Sequence, residues 1–194
     1  MLEIVDMVNA RDKVIGATTR DRAKTGNHIY RCAGVFVEIG GKIIIQKRSM
    51  KKSVRPGMFS LTEETLQRGE SYEEGAARGV REELGLEARN LRYLGKVLVE
   101  DWRYPDRFFL SIFVCKGVGK IKLQKSEVAQ VKLLKPAEVA RLLENRHNVS
   151  PGLLKAFPAY LRGKPKRGFM QPKGHRPTPL KKRTAIRARR VSGK

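Results

Sequence analysis

The sequence predicts a mixed α/β fold, a sheet of paired strands layered against a few helices. Three observations point there. Short apolar runs of strand length are separated by turn residues, a stretch near the middle has helical periodicity, and 40% of the residues are hydrophobic, enough for a packed core. The 194 residues allow one ordinary domain with some excess.

Taken in order, Leu2–Val8 and Lys13–Gly16 read as short strands joined by the turn-forming Asn9–Asp12. Strands at Tyr30–Ile39 and Lys42–Arg48 flank Gly40-Gly41, a strong hairpin signal. Pro56-Gly57 breaks the chain. Across Ser71–Leu84, Tyr72, Ala76, Val80 and Leu84 fall on one helical stripe, and Gly85 is placed to end it as a C-cap. Leu91–Asp101 and Arg107–Cys115 are long strands separated by Arg103-Tyr104-Pro105-Asp106, a second hairpin candidate. Val128–Leu134 is a further strand. Lys135-Pro136 opens a helix through Leu143, and Pro151–Leu161 reads as a last one.

Charge is distributed unevenly. Of 42 Lys and Arg against 19 Asp and Glu, a formal +23, 13 cations and no acid lie in 162–194. Residues 1–161 keep 29 basic and 19 acidic groups, net +10. The expected organisation is therefore a domain at 1–161 and a polybasic extension at 162–194. Punctuated by Pro165, Pro172, Pro177 and Pro179, the extension is too polar to fold alone and is expected to be disordered or ordered by RNA. A solvated tail is the plainer alternative. Cations without anions favour a polyanion partner, with Lys164, Lys166, Arg167, Lys173, Arg176, Lys181, Lys182, Arg183, Arg187, Arg189 and Arg190 as the RNA-binding candidates.

Several classes are excluded. No apolar run is long enough for a membrane span, and the first residues carry acids instead of a secretory signal, so a cytoplasmic location is expected. Cys32 and Cys115 read as reduced core residues, and with three scattered His they form no zinc set.

One segment carries chemistry. Between Gly69 and Leu86 a loop delivers Glu70, and a helix places Glu82 and Glu83 one turn beyond Arg78. Arg78 and Glu82 form an i,i+4 pair, and Arg78 reaches back toward Glu70. Clustered carboxylates of this kind suit Mg²⁺, which takes oxygen ligands and bridges to phosphates. A solvated acidic helix face is the plain alternative.

The spacing resembles the Nudix box: Gly, five residues, Glu, seven residues, Arg-Glu, an aliphatic, any residue, Glu-Glu, any residue, Gly, aliphatic. Glu70, Arg78, Val80, Glu82, Glu83, Gly85 and Leu86 hold matching positions. The flanks (Asp6, Val14-Ile15-Gly16, Arg20, Gln46-Lys47-Arg48-Ser49, Lys52 and Pro56-Gly57-Met58) resemble the branch that includes isopentenyl-diphosphate isomerase. The resemblance, over about residues 2–135, implies an α/β/α sandwich around a mixed sheet.

Two positions depart from the box. Where the family has a Gly pair ending at position 64, this chain has Glu63-Glu64, and where the family has a metal-binding Glu, it has Gly79. The Cys and His that the isomerases need are replaced by Glu63 and Thr65, so isomerisation is not expected. Glu82 and Glu83 remain the metal candidates, with Glu63 and Glu64, expected on the loop facing the helix, as further donors in a rewired site or as ion-pair partners in a retired one. The expectation is an RNA-binding, ribosome-associated protein in contact with rRNA, its catalytic site inactive and without a cofactor. The alternative is an active hydrolase using Mg²⁺ on a nucleoside-diphosphate-linked or RNA-linked diphosphate.

Overall fold

Residues 3–163 are described by a computed structural model of the chain. Within them the strands are β1 (Ile4–Val8), β2 (Val14–Thr19), β3 (Ile29–Ile39), β4 (Lys42–Arg48), β5 (Phe59–Ser60), β6 (Thr62–Thr65), β7 (Glu87–Asp101), β8 (Tyr104–Val118) and β9 (Val128–Leu134). The helices are α1 (Arg20–Ala23), α2 (Tyr72–Leu84), α3 (Pro136–Glu144) and α4 (Pro151–Gly163).

The long strand β3 organises the sheet. It runs parallel to β8 from Ile29↔Arg107 to Glu38↔Lys116, and antiparallel to β6 over Cys32–Val35. At its end Gly40 and Gly41, both at positive φ, close the hairpin into β4. β4 continues to β9, and β8 to β7, all antiparallel. The mixed sheet is the expected α/β architecture.

Side chains alternate across this sheet and sort the core in two. On one face Cys32, Phe36, Ile43, Ile45, Leu110 and Ile112 pack against Leu153, Phe157 and Tyr160 of α4 and Val139 of α3. The Phe36 ring lies 4.7 Å from that of Tyr160. On the other, Ala33, Val35, Val37, Ile44 and Phe113 pack against Ala76, Val80 and Leu84 of α2. Burial at the scale of 25 cal/mol per Å² makes these two clusters the main stabilising term. Cys32 and Cys115 are buried and reduced, one in each cluster.

Four sequence expectations need correction. Glu63 and Glu64 are on strand β6, not in a loop, because Thr62–Thr65 pair with β3. Tyr104, Pro105 and Asp106 belong to β8, since the β7–β8 ladder reaches Asp101↔Tyr104 through a register shift that accommodates the proline. The single turn α1 was not anticipated. Helix α4 extends through Gly163, two residues past the expected helix end at Leu161. The extension's RNA candidates, Lys164 to Arg190, lie outside the described residues. No described helix is long and apolar enough to cross a membrane.

Candidate active site

Helix α2 is fixed at both ends by its own sequence. Ser71 Oγ accepts from the Glu74 amide, and Glu74 Oε2 accepts from the Ser71 amide at 2.9 Å, a reciprocal cap. At the far end Gly85 takes the left-handed conformation, φ 68°. Between β6 and α2 the turn is pinned where the Gly69 amide donates to Asp6 and the Gln67 amide to Glu70.

Arg78 ties that turn to the helix. Its Nε and Nη2 donate to the two oxygens of Glu70 at 2.8 and 2.9 Å, and Nη2 also donates to the Thr65 carbonyl at 2.9 Å. Nη1 reaches Glu82 at 3.2 Å and pairs with Glu64 at 3.4 Å. Burial pushes the Glu70 carboxyl up, but these bonds outweigh it and hold the group below the ordinary carboxylate range. The pairing of Arg78 with Glu70 and Glu82 is thus as the spacing anticipates.

The remaining acids divide by strand parity. Residues 62 and 64 of β6 face α2, whereas 63 and 65 face α4. Glu63 is therefore not part of the carboxylate group. It is half-buried against α4, so that a Cβ on Gly152 would stand 1.8 Å from its Oε2. Burial raises the Glu63 carboxyl, an effect that Arg55 and Arg48 offset only in part.

Glu64 lies against α2 and is 8% exposed. Burial lifts its carboxyl, Arg78 and Arg20 lower it, and Glu82 and Glu3 lift it again, leaving it raised. Glu83, 4% exposed, is pushed up to about 8, first by burial and then by Glu64. Gln46 Nε2, on the α2 side of β4, donates to Glu83 at 2.7 Å and to the Leu61 carbonyl at 3.1 Å. Glu82 is the outermost of the three, its side chain 46% exposed. As the side chains stand, no three acids among the described residues converge on a ready-made cation cage. A site for Mg²⁺ does not require one, since that ion takes one or two carboxylates plus water and substrate oxygens. The donor set fits. The crowded carboxylates disfavour one another's charge, and Gln46 Oε1, in the carboxamide bonded to Glu83, and Thr62 Oγ1, on the same face of β6 as Glu64, are buried without hydrogen-bond partners.

Next to these acids is a cleft of about 440 Å³ whose lining includes Arg20, Lys24, Lys51, Lys52 and Glu127. Arg20 belongs to both regions: it bonds Glu3 at 2.8 Å and approaches Glu64 at 4.0 Å. Lys52 pairs with Glu127, which also bears on Glu83. Burial lowers the Lys24 ammonium, and Arg20 and Lys52 lower it further. Glu3 and Asp21 also line the cleft, so its four cations exceed its three acids by one, and this excess favours an anionic occupant. In the sequence reading Arg20, Gln46 and Lys52 counted only toward the resemblance, and Lys24, Thr62 and Glu127 not at all. The one available signal was Gln46, a polar residue following Ile43–Ile45 at an inward position.

A family profile described as the NUDIX domain matches residues 29–157. The chain is 30% identical over 162 residues to the uncharacterized Nudix hydrolase YfcD of Escherichia coli K12, spanning 82% of this chain and 87% of that protein. A crystal structure of DR0079 from Deinococcus radiodurans superposes with a TM-score of 0.67 at 25% identity, over 80% of this chain and 98% of that one. Similarity to the NAD-capped RNA hydrolase NudC of Mannheimia succiniciproducens is 26% over 129 residues, 64% of this chain and 47% of that protein.

Proposed function

The chain belongs to the Nudix family, and from that premise we propose that it is an active, divalent-cation-dependent hydrolase of a diphosphate linkage in a strongly anionic substrate. The observation that carries this reading is the cationic cleft opening beside the α2 carboxylates, with Arg20 shared between them. Half-buried Lys24 lines that cleft together with Arg20 and Lys52. Arg20, Lys24 and Lys52 bind and orient the substrate's phosphates. Arg78 holds the Glu70 turn against α2, so that Glu82 and Glu83 keep their positions. Mg²⁺, which the family generally uses, is to be held by these carboxylates and supplies charge stabilisation to the reacting phosphate oxygens.

The non-catalytic, rRNA-bound reading becomes the second one, supported by the cation-only sequence 162–194. The two meet in an RNA-linked diphosphate substrate, and NudC is named a hydrolase of NAD-capped RNA.

The test is a panel of nucleoside-diphosphate sugars, dinucleoside polyphosphates and diphosphate-capped RNA incubated with Mg²⁺. Turnover is expected on at least one, and Lys24→Met should raise KM for it while largely sparing kcat. A Lys24→Met variant with unchanged KM would remove the cleft from substrate binding.

A further inference from the structure

We propose that Glu64 supplies, from β6, the cation-binding carboxylate that α2 lacks at Gly79, so that Glu64 and Glu83 together hold the divalent ion. This rests on the hydrolase reading for the identity of the ion's task, but its structural basis is separate.

The two departures from the box are one packing event. A Cβ built on Gly79 would lie 2.7 Å from Glu64 Cβ and 3.4 Å from its Cγ. No side chain fits at 79 while Glu64 is in place, and the space a larger residue would use is filled by Glu64 itself. Gly in a helix interior is disfavoured, and its presence midway along α2 is explained by this close approach. The chain has moved a carboxylate across the gap between strand and helix, leaving it facing Glu83 one turn along α2.

Two buried oxygens point independently to a ligand. Thr62 and Gln46 are each 1% exposed, and Thr62 Oγ1 and Gln46 Oε1 have no hydrogen-bond partner. Thr62 shares the α2-facing side of β6 with Glu64, and its Cγ2 comes within 3.7 Å of the Cβ position at Gly79. Gln46 Oε1 belongs to the carboxamide whose nitrogen bonds Glu83, so it lies beside that carboxylate by covalent geometry. Buried acceptors are rarely left unpaired, and hard oxygens in this company suit a hard cation. Glu64 is also incompletely engaged: its partners Arg78 and Arg20 stand at 3.4 and 4.0 Å, beyond the 2.7–2.9 Å of a charge-assisted hydrogen bond.

Binding of Mn²⁺ alone, followed by loss of its free-ion electron paramagnetic resonance signal, separates the possibilities without any turnover. Wild type should bind, and Glu64→Gln should weaken binding by about tenfold or more while its circular dichroism and melting curve stay native. The exchange Glu64→Gly with Gly79→Glu should recover most of the loss. The proposal is overturned if wild type does not bind Mn²⁺, if Glu64→Gln binds as tightly as wild type, or if a well-folded exchange variant remains as weak as Glu64→Gln. Wild type that binds through Glu64 yet hydrolyses no diphosphate would refute the hydrolase reading and leave the ligand assignment standing. Binding lost in Glu83→Gln but intact in Glu64→Gln would do the reverse.

Discussion

Replacing Arg78 with Ala removes the connection between the Glu70 turn, the end of β6 and helix α2. The guanidinium is 13% exposed and makes two hydrogen bonds to Glu70, one to the Thr65 carbonyl, one to Glu82 and an ion pair to Glu64. The partners it would leave are themselves mostly buried, with the Glu70 and Glu64 side chains 13% and 10% exposed. Loss of one member of a buried charged pair costs about 3–5 kcal/mol. Partial water access places this site at the lower end, about 3 kcal/mol. For a domain of this size that corresponds to a fall in Tm of roughly 6–12 °C. Urea unfolding is the assay, with a lower midpoint and unchanged slope expected. Arg78→Lys should recover only a minor part, because an ammonium cannot make the forked contact to Glu70. A loss below about 1 kcal/mol for Arg78→Ala would refute the view that Arg78 locks the site.

Asp106 is buried, bonded to Arg55 at 2.5 and 3.0 Å and to the Tyr30 hydroxyl at 2.9 Å. Asp106→Asn should lower unfolding free energy by about 3–5 kcal/mol in urea titrations. Gly79→Ala should cost about 1–3 kcal/mol by overpacking against Glu64, and Glu64→Gly in the same chain, which removes the Cβ it would meet, should relieve most of that clash. Glu83 titrates at about 8 in the fold against 4.5 for a free Glu side chain, so between those values the folded state holds a proton that the unfolded chain has released. Its contribution to stability is full below about 4.5 and is lost as pH rises through about 8. Urea midpoints in chelator should therefore fall across that window in wild type and fall less in Glu83→Gln.

Much of the fold is legible in the sequence because its signals are local. Alternation in 30–39 and 42–48 marks β3 and β4, and Gly40-Gly41 marks their turn. Ser71 and Gly85 bracket α2 with a cap at each end. The box residues Glu70, Arg78, Glu82 and Glu83 are found from spacing because one turn and one helix deliver all four. β6 escapes notice since Thr-Glu-Glu-Thr has little strand character and extends only by pairing with β3. That omission decides the reading of Glu63 and Glu64, which strand parity sends to opposite faces. The cleft is illegible for another reason: Arg20, Lys24, Lys52 and Glu127 come from three separate segments and meet only in the folded chain.

The central claim is that the site is catalytically competent although position 79 carries no carboxylate. It is tested most directly by steady-state diphosphate hydrolysis with Mg²⁺, comparing wild type, Glu64→Gln and Glu83→Gln on the panel's preferred substrate. Wild type should turn over with Mg²⁺ and not in chelator, and each variant should lose on the order of a hundredfold or more in kcat/KM. Wild type at background on every diphosphate would contradict it, whereas Glu64→Gln at the wild-type rate would leave the site competent and remove Glu64 from it.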